Sequence, residues 1–164
     1  MIQGIHHVAI SVPDMALARK FYGEVLGLEE VRSSKWGPGN DYVDAILGLK
    51  DSSGLTSLFR GPNVFIEVFE YLTPKPGPLE PARPVNEYGY THFGIQVDDI
   101  AAVHERMLAA GLTFHTAPAR LQQDADGGRI GFSATYGRDF FGNVFEIMEI
   151  RPGSQMPPVP REAA

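Results

Sequence analysis

Tyr90-Thr-His-Phe-Gly-Ile-Gln-Val-Asp-Asp99 is close to a second copy of Ile5-His-His-Val-Ala-Ile-Ser-Val-Pro-Asp14. At an offset of 85 positions His92 falls on His7, Ile95 on Ile10, Val97 on Val12 and Asp99 on Asp14. Each copy runs into an amphipathic stretch that stops at Gly-Leu, Gly27-Leu28 and Gly111-Leu112. A second echo closes each copy: Phe65-Ile-Glu-Val-Phe-Glu70 and Val144-Phe-Glu-Ile-Met-Glu149. An internal repeat of this length makes the fold a duplicated supersecondary unit. Each half contributes one His from an opening strand and a Glu from a closing strand.

Working outward, residues 5 to 12 read as a strand rich in apolar and β-branched side chains, ended by Pro13 and Asp14. Asp14 is a helix N-cap, and Met15, Leu17, Ala18, Phe21, Tyr22, Val25 and Leu26 recur at helical spacing until Gly27. A strand is expected over 28 to 36, a loop over 37 to 41, a short inserted helix over 42 to 49, a strand from about Leu55 and another over 64 to 71. Five prolines between 74 and 84 remove backbone donors and fix φ, so this segment reads as a semi-extended linker. The order then repeats: strand 90 to 97, helix from about Asp99 to Ala110, strands near 113 to 116 and 129 to 137, and a closing strand 143 to 150. The expected organisation is a first βαβββ module over 1–72, a proline-rich linker over 73–88, a second βαβββ module over 89–150 and a surface tail over 151–164. The fold class is α+β, with two curled mixed sheets around a common cavity.

Composition narrows the function. The chain has 164 residues, 43% hydrophobic and 21% charged, which is ordinary for a globular protein. It has no cysteine, so any metal has to be held by imidazole and carboxylate. A net charge of −6 without a basic cluster argues against a nucleic-acid surface. No run approaches the roughly 20 apolar residues of a membrane span, and no signal pattern opens the chain, so a cytoplasmic location is expected.

Strand alternation turns His7, Ala9 and Ser11 to one face of the first strand and His6, Val8, Ile10 and Val12 to the other. The uniformly apolar set should meet the helix, leaving His7 on the concave face. By the same rule His92, Gly94 and Gln96 face inward in the second copy. Ala9 and Gly94 leave room beside each imidazole. Glu67 shares a face with Phe69 and Tyr71. Taken alone, an inward His is more often a hydrogen-bonded core residue. A His and a Glu repeated in both halves reverse that balance, because two unpartnered carboxylates facing one cavity would cost several kcal/mol. The repeated pair therefore points to a divalent-metal site with nitrogen and oxygen donors. Glu70 competes with Glu67, and alternation leaves Glu146 and Glu149 both open. His6 reads as a packing or surface residue, and His104 and His115 as solvated surface histidines.

The markers His7-Val-Ala-Ile-Ser-Val, Phe21-Tyr-Gly-Glu-Val-Leu-Gly-Leu28, Ile66-Glu-Val, Thr91 to Asp99 and Asp139-Phe-Phe-Gly-Asn-Val-Phe-Glu-Ile147 together resemble the vicinal oxygen chelate superfamily. That group includes glyoxalase I, methylmalonyl-CoA epimerase, extradiol dioxygenases, fosfomycin-resistance enzymes and metal-free bleomycin-binding proteins. The resemblance covers residues 4 to 150. It implies a metal set of His7, Glu67, His92 and Glu146, the last through an Asp-x-x-Gly-Asn-x-x-Glu pattern beginning at Asp139. The implied cofactor is one divalent ion per site, of nickel, cobalt, manganese, iron or zinc. Asp-Phe-Phe-Gly replaces the commoner Asp-Pro-Asp-Gly, and the 37 to 54 region is longer than in compact bacterial glyoxalases; both depart from the pattern of enzymes acting on glutathione adducts.

Four protein donors around an octahedral ion leave two adjacent positions for neighbouring substrate oxygens, which favours proton transfer through an enediolate. Glu146 or Glu67 is the expected base. A metal-dependent lyase or isomerase, glyoxalase-like or epimerase-like, is therefore the expected activity. An extradiol dioxygenase ranks lower because a fourth protein ligand takes the position that oxygen needs. A small-molecule or antibiotic-binding resistance protein is the alternative without catalysis. Candidate pocket residues are Trp36, Phe59, Phe69, Tyr71, Tyr136 and Arg138, with Arg138 suited to an anionic group. The expected partners are a small molecule with vicinal oxygens and, because each sheet has exposed edges, a second copy in a two-fold homodimer.

Overall fold

A computed structural model of the chain describes residues 1–159. Residues 160–164, the end of the expected surface tail, lie outside the described residues. The chain divides into two compact units, Met1–Leu79 and one that begins at Glu80.

In the first unit β1 (His7–Ser11) leads into α1 (Met15–Arg19). Asp14 caps α1 by accepting the Leu17 N–H at 3.0 Å. The expected continuous helix continues instead as π-helical turns over Lys20–Val25. Its buried face presents Phe21, Tyr22 and Val25 to the core. β2 (Glu29–Trp36), α2 (Asp41–Leu47), β3 (Ser53–Arg60) and β4 (Phe65–Thr73) follow. The inserted helix α2 is present where the sequence placed it, capped by Asn40, which accepts the Val43 N–H.

The sheet order is β1-β4-β3-β2, with β1 parallel to β4 and the other pairs antiparallel. Ile66 and Val68 of β4 are buried with Phe59 of β3 and with Met15, Ala18, Phe21 and Tyr22 of the helical segment. Burial of such a set supplies most of the driving force for the unit. Val8, expected to pack against the helix, stays 38% exposed.

The second unit repeats the plan with β5 (His92–Gln96), α3 (Ile100–Ala109), β6 (Thr113–Phe114), β7 (Gln122–Gln123), β8 (Arg129–Ile130), β9 (Phe132–Arg138) and β10 (Val144–Ile150). Its main sheet is ordered β5-β10-β9-β6, again with the first strand parallel to the last. β7 and β8 form a separate ribbon that the sequence reading did not resolve. Asp99 caps α3 through the Ala102 N–H at 3.1 Å. Phe145 and Ile147 of β10 are buried with Met107 and Ile100 of α3. His104, expected in solvent, is half-buried, with its ring 4.5 Å from that of Phe114.

Each module is therefore a four-stranded mixed sheet with a helix over one face, and the fold is α+β. No helix among the described residues is long and apolar enough to cross a membrane.

Candidate metal centre

The register of the two parallel strand pairs decides which carboxylates meet the histidines. In the first module Ala9 lies opposite Glu67, and in the second Gly94 lies opposite Glu146. Paired residues in adjacent strands share a face, so each Glu stands beside the His two positions back along the neighbouring strand. His7 Nε2 is 3.2 Å from Glu67 Oε2, with side-chain exposures of 41% and 25%. His92 Nε2 is 3.4 Å from Glu146 Oε2, with exposures of 25% and 16%. A Cβ on Gly94 would come within 3.6 Å of Glu146 Oε2 and 2.6 Å of Met148 Cε, so the absence of a side chain at 94 lets the Met148 methyl pack against the strand next to Glu146.

The competing carboxylates have other work. Glu70 Oε2 accepts the Met15 N–H at 2.8 Å, and Glu149 Oε2 accepts the Ile100 N–H at 2.9 Å. Both lie on the helix side of their sheets and satisfy first-turn donors that a helix leaves unpaired. Glu149 is fully buried and also pairs with Arg129 and with Arg151 at 2.7 Å. The choice between Glu146 and Glu149 is thus one of faces: Glu146 stands with His92, and Glu149 belongs to the helix cap.

The imidazoles are held from behind. Nδ1 of His7 is 2.9 Å from Nδ1 of His6, whose ring stacks on Phe65 at 4.9 Å. Nδ1 of His92 is 2.9 Å from Thr91 Oγ1, and the His92 ring lies 4.6 Å from that of Tyr136. Engagement of Nδ1 leaves Nε2 facing the carboxylate, the arrangement that orients a metal-ligating histidine. Two donors each about 2.1 Å from one ion at a right angle stand roughly 3 Å apart. Both pairs have close to that spacing, so the residues fit a divalent ion. Among the described residues no three His, Asp or Glu side chains gather as a metal site; the donors come as one pair per module.

The face of the first sheet that carries Glu67 was only partly legible. Thr56 Oγ1 donates to Glu67 Oε1 at 3.3 Å, a contact that sequence alone did not indicate because it depends on the β3–β4 register. Trp36, Phe69 and Tyr71 form a contiguous aromatic group on this side, with Phe69 and Tyr71 5.7 Å apart and Trp36 edge-on to both. Burial, and next the negative charge of Glu67, raise the Tyr71 hydroxyl above its ordinary pKa.

Phe59 is not part of this group. It is 1% exposed and packs 5.5 Å from Tyr22 on the helix side, because alternation along β3 places it with Ile66. In the second module Tyr136 stands opposite Glu146 in the β9–β10 pair, and His115, which is exposed, lies 6.0 Å from it. Arg138 donates to the carbonyls of Pro81, Arg83 and Gly142 at 3.1, 2.9 and 2.7 Å. Its guanidinium thereby pins the 81–83 stretch of the proline-rich segment to the second module. Asp139 of the Asp-x-x-Gly-Asn pattern accepts the Phe141 and Asn143 N–H groups and the Asn143 side-chain amide, shaping the turn that delivers Glu146.

The chain is similar to several known proteins. The chain is 30% identical over 107 residues to a 2-epi-5-epi-valiolone epimerase from Actinomyces, a match covering 64% of the chain and 57% of that protein. It is 28% identical over 137 residues to a lactoylglutathione lyase from Haemophilus influenzae, covering 78% and 90%. Among solved structures, a glyoxalase family protein from Bacillus cereus superposes with a TM-score of 0.78 at 20% identity, covering 92% of this chain and 96% of that one. The fosfomycin resistance protein FosX from Listeria monocytogenes, solved with Mn(II) and sulfate, gives 0.57 at 20% identity over 91% and 93%. The family model matches residues 4–147, and the chain belongs to the glyoxalase, bleomycin resistance protein and dioxygenase superfamily.

Proposed function

We propose that the protein is a divalent-metal-dependent lyase or isomerase, in which His7, Glu67, His92 and Glu146 together hold one ion and a small substrate presents two neighbouring oxygens to it. The observation that carries this reading is the recurrence of one His–Glu pair per module, at 3.2 and 3.4 Å, with a small residue beside each carboxylate. Such a donor set suits manganese, iron, cobalt, nickel or zinc. Membership in the superfamily and similarity to an epimerase and a lactoylglutathione lyase support an activity of this kind.

When bound, the ion would polarise the substrate oxygens and so acidify the adjacent carbon. The chain's own residues then do the remaining work. Glu146 is the group we assign to take the proton from that carbon and return it, because it is the less exposed of the two carboxylates and has both His92 and Tyr136 as neighbours. Glu67, steadied by Thr56, is the second candidate for that role.

The unpaired edge strands β1 and β2 of one sheet and β5 and β6 of the other are surfaces that a two-fold homodimer would cover. In such a dimer the pair His7 and Glu67 could meet His92 and Glu146 of a second copy.

The test is hydrogen exchange. Metal-loaded protein turning over a true substrate in D2O should incorporate deuterium at the carbinol or α-carbon. Glu146→Gln should lower exchange and turnover together by ~10²-fold or more while keeping much of the metal, the scale of general-base loss. Oxygen uptake with ring opening of a catechol and no hydrogen exchange would contradict the proposal and move the protein to the dioxygenase branch.

A further inference from the structure

We propose that the insert between β2 and β3 fixes Trp36 as one side of an aromatic wall beside Glu67, and that this wall selects a substrate bearing a planar, apolar ring next to its vicinal oxygens. The inference deepens the proposed function and rests on Glu67 being a donor of that site.

Three observations carry it. First, Phe69 is two residues from Glu67 on the same face of β4, roughly 7 Å along the strand, so the wall begins where the substrate oxygens would lie. The nearly parallel rings of Phe69 and Tyr71, 14° apart, extend it, and Trp36 stands at 76° and 82° to them. All three are half-buried, so part of each ring is open to a ligand.

Second, the Trp36 ring is locked. Its Nε1–H donates to Ser52 Oγ at 2.9 Å, and the fully buried Ser52 donates from both its hydroxyl and its backbone N–H to Asp44 Oδ1 on α2. The insert thus reaches the wall through a chain of hydrogen bonds. Third, Gly54 lies under the indole, where a Cβ would come within 2.5 Å of Trp36 Cη2. A ring held by a polar chain at its edge and seated on a bare backbone is preorganised, so little entropy is lost when a second ring stacks on it. Apolar and aromatic faces of this kind favour an aryl or other flat ring over a short alkyl group.

The test compares benzohydroxamate with acetohydroxamate on the Mn(II)-loaded protein, since the two present the same oxygen pair and differ in the ring. Trp36 is the single tryptophan, so its emission reports the wall directly. Benzohydroxamate should bind at least ~10-fold more tightly and should change Trp36 emission on binding. Phe69→Leu, which keeps an apolar side chain at the position, should cut that preference to about 3-fold or less with little change for acetohydroxamate. Ser52→Ala should red-shift the emission of the free protein and weaken the same preference. Equal affinities, or tighter benzohydroxamate binding that leaves Trp36 emission unchanged, would overturn the wall and leave the donor set standing. Failure of both compounds to bind would overturn the donor set and the wall together.

Discussion

Glu149 Oε2 accepts the backbone N–H of Ile100 at 2.9 Å, which ties the last strand of the second module to the first turn of α3. Glu70 does the same for Met15 in the first module. Three residues earlier on each closing strand, and on the opposite face, stand Glu146 and Glu67. One repeat therefore writes two carboxylates with separate duties. Glu149→Ala removes a fully buried carboxylate from Arg129, Arg151 and a helix N–H, and should destabilise the protein by about 3 kcal/mol. For a chain of this size that lowers the melting temperature by roughly 6–12 °C. Metal affinity should stay within about 3-fold of wild type. Glu146→Ala should do the reverse, and calorimetry of the two variants side by side checks both.

Glu30 supplies the clearest pH dependence. It accepts from Arg19 at 2.9 to 3.1 Å and from the buried Ser57 hydroxyl at 2.6 Å. The Arg19 hydrogen bonds hold its carboxyl below the ordinary value of 4.5. A depressed carboxylate pKa stabilises the fold above the unfolded value and loses that contribution as pH falls through the folded one. Denaturant midpoints measured downward from pH 5 should therefore fall more steeply for wild type than for Glu30→Gln. Parallel slopes would show that the Arg19 pair contributes nothing measurable.

Much of the fold was legible because the chain repeats itself. His7 with Ala9 and His92 with Gly94 marked the sheet face turned away from the helix, and Asp14 and Asp99 marked the helix starts where both are observed as caps. What escaped depends on register and tertiary contact. Glu67 against Glu70, and Glu146 against Glu149, turn on which residue stands opposite Ala9 or Gly94, and periodicity within one strand does not contain that information. Phe59 carries no local sign of facing the helix until β3 is aligned with β4. Arg138 looked suited to an anion because its carbonyl partners at 81 and 83 lie far away in sequence. The π-helical turns over Lys20–Val25 have no sequence signal that we identify.

Gly54 offers a test of the packing under Trp36. Besides meeting the indole, a Cβ there would approach the Glu70 backbone oxygen to 2.6 Å, and backbone in a central strand cannot move aside as a side-chain tip can. Gly54→Ala should cost about 1–3 kcal/mol, the range of overpacking, and should shift Trp36 emission to the red. An unchanged melting temperature and unchanged emission would contradict the close approach.

Mixing variants addresses how the donor pairs combine. His7→Ala and His92→Ala chains should each bind metal poorly alone. If the site is shared across a two-fold dimer, co-refolded mixtures contain dimers with one intact set and should regain up to about half of the wild-type sites per mixed dimer. No recovery would place each set within one chain.

The most direct measurement is a calorimetric titration of metal-free protein with Mn(II) or Ni(II). If the two His–Glu pairs act as one set, as proposed, one ion should bind per chain, and His7→Ala, Glu67→Ala, His92→Ala and Glu146→Ala should each weaken binding by ~10²-fold or more. Two weak and independent ions per chain, each abolished only by variants in its own module, or folded protein that binds no ion, would contradict that claim.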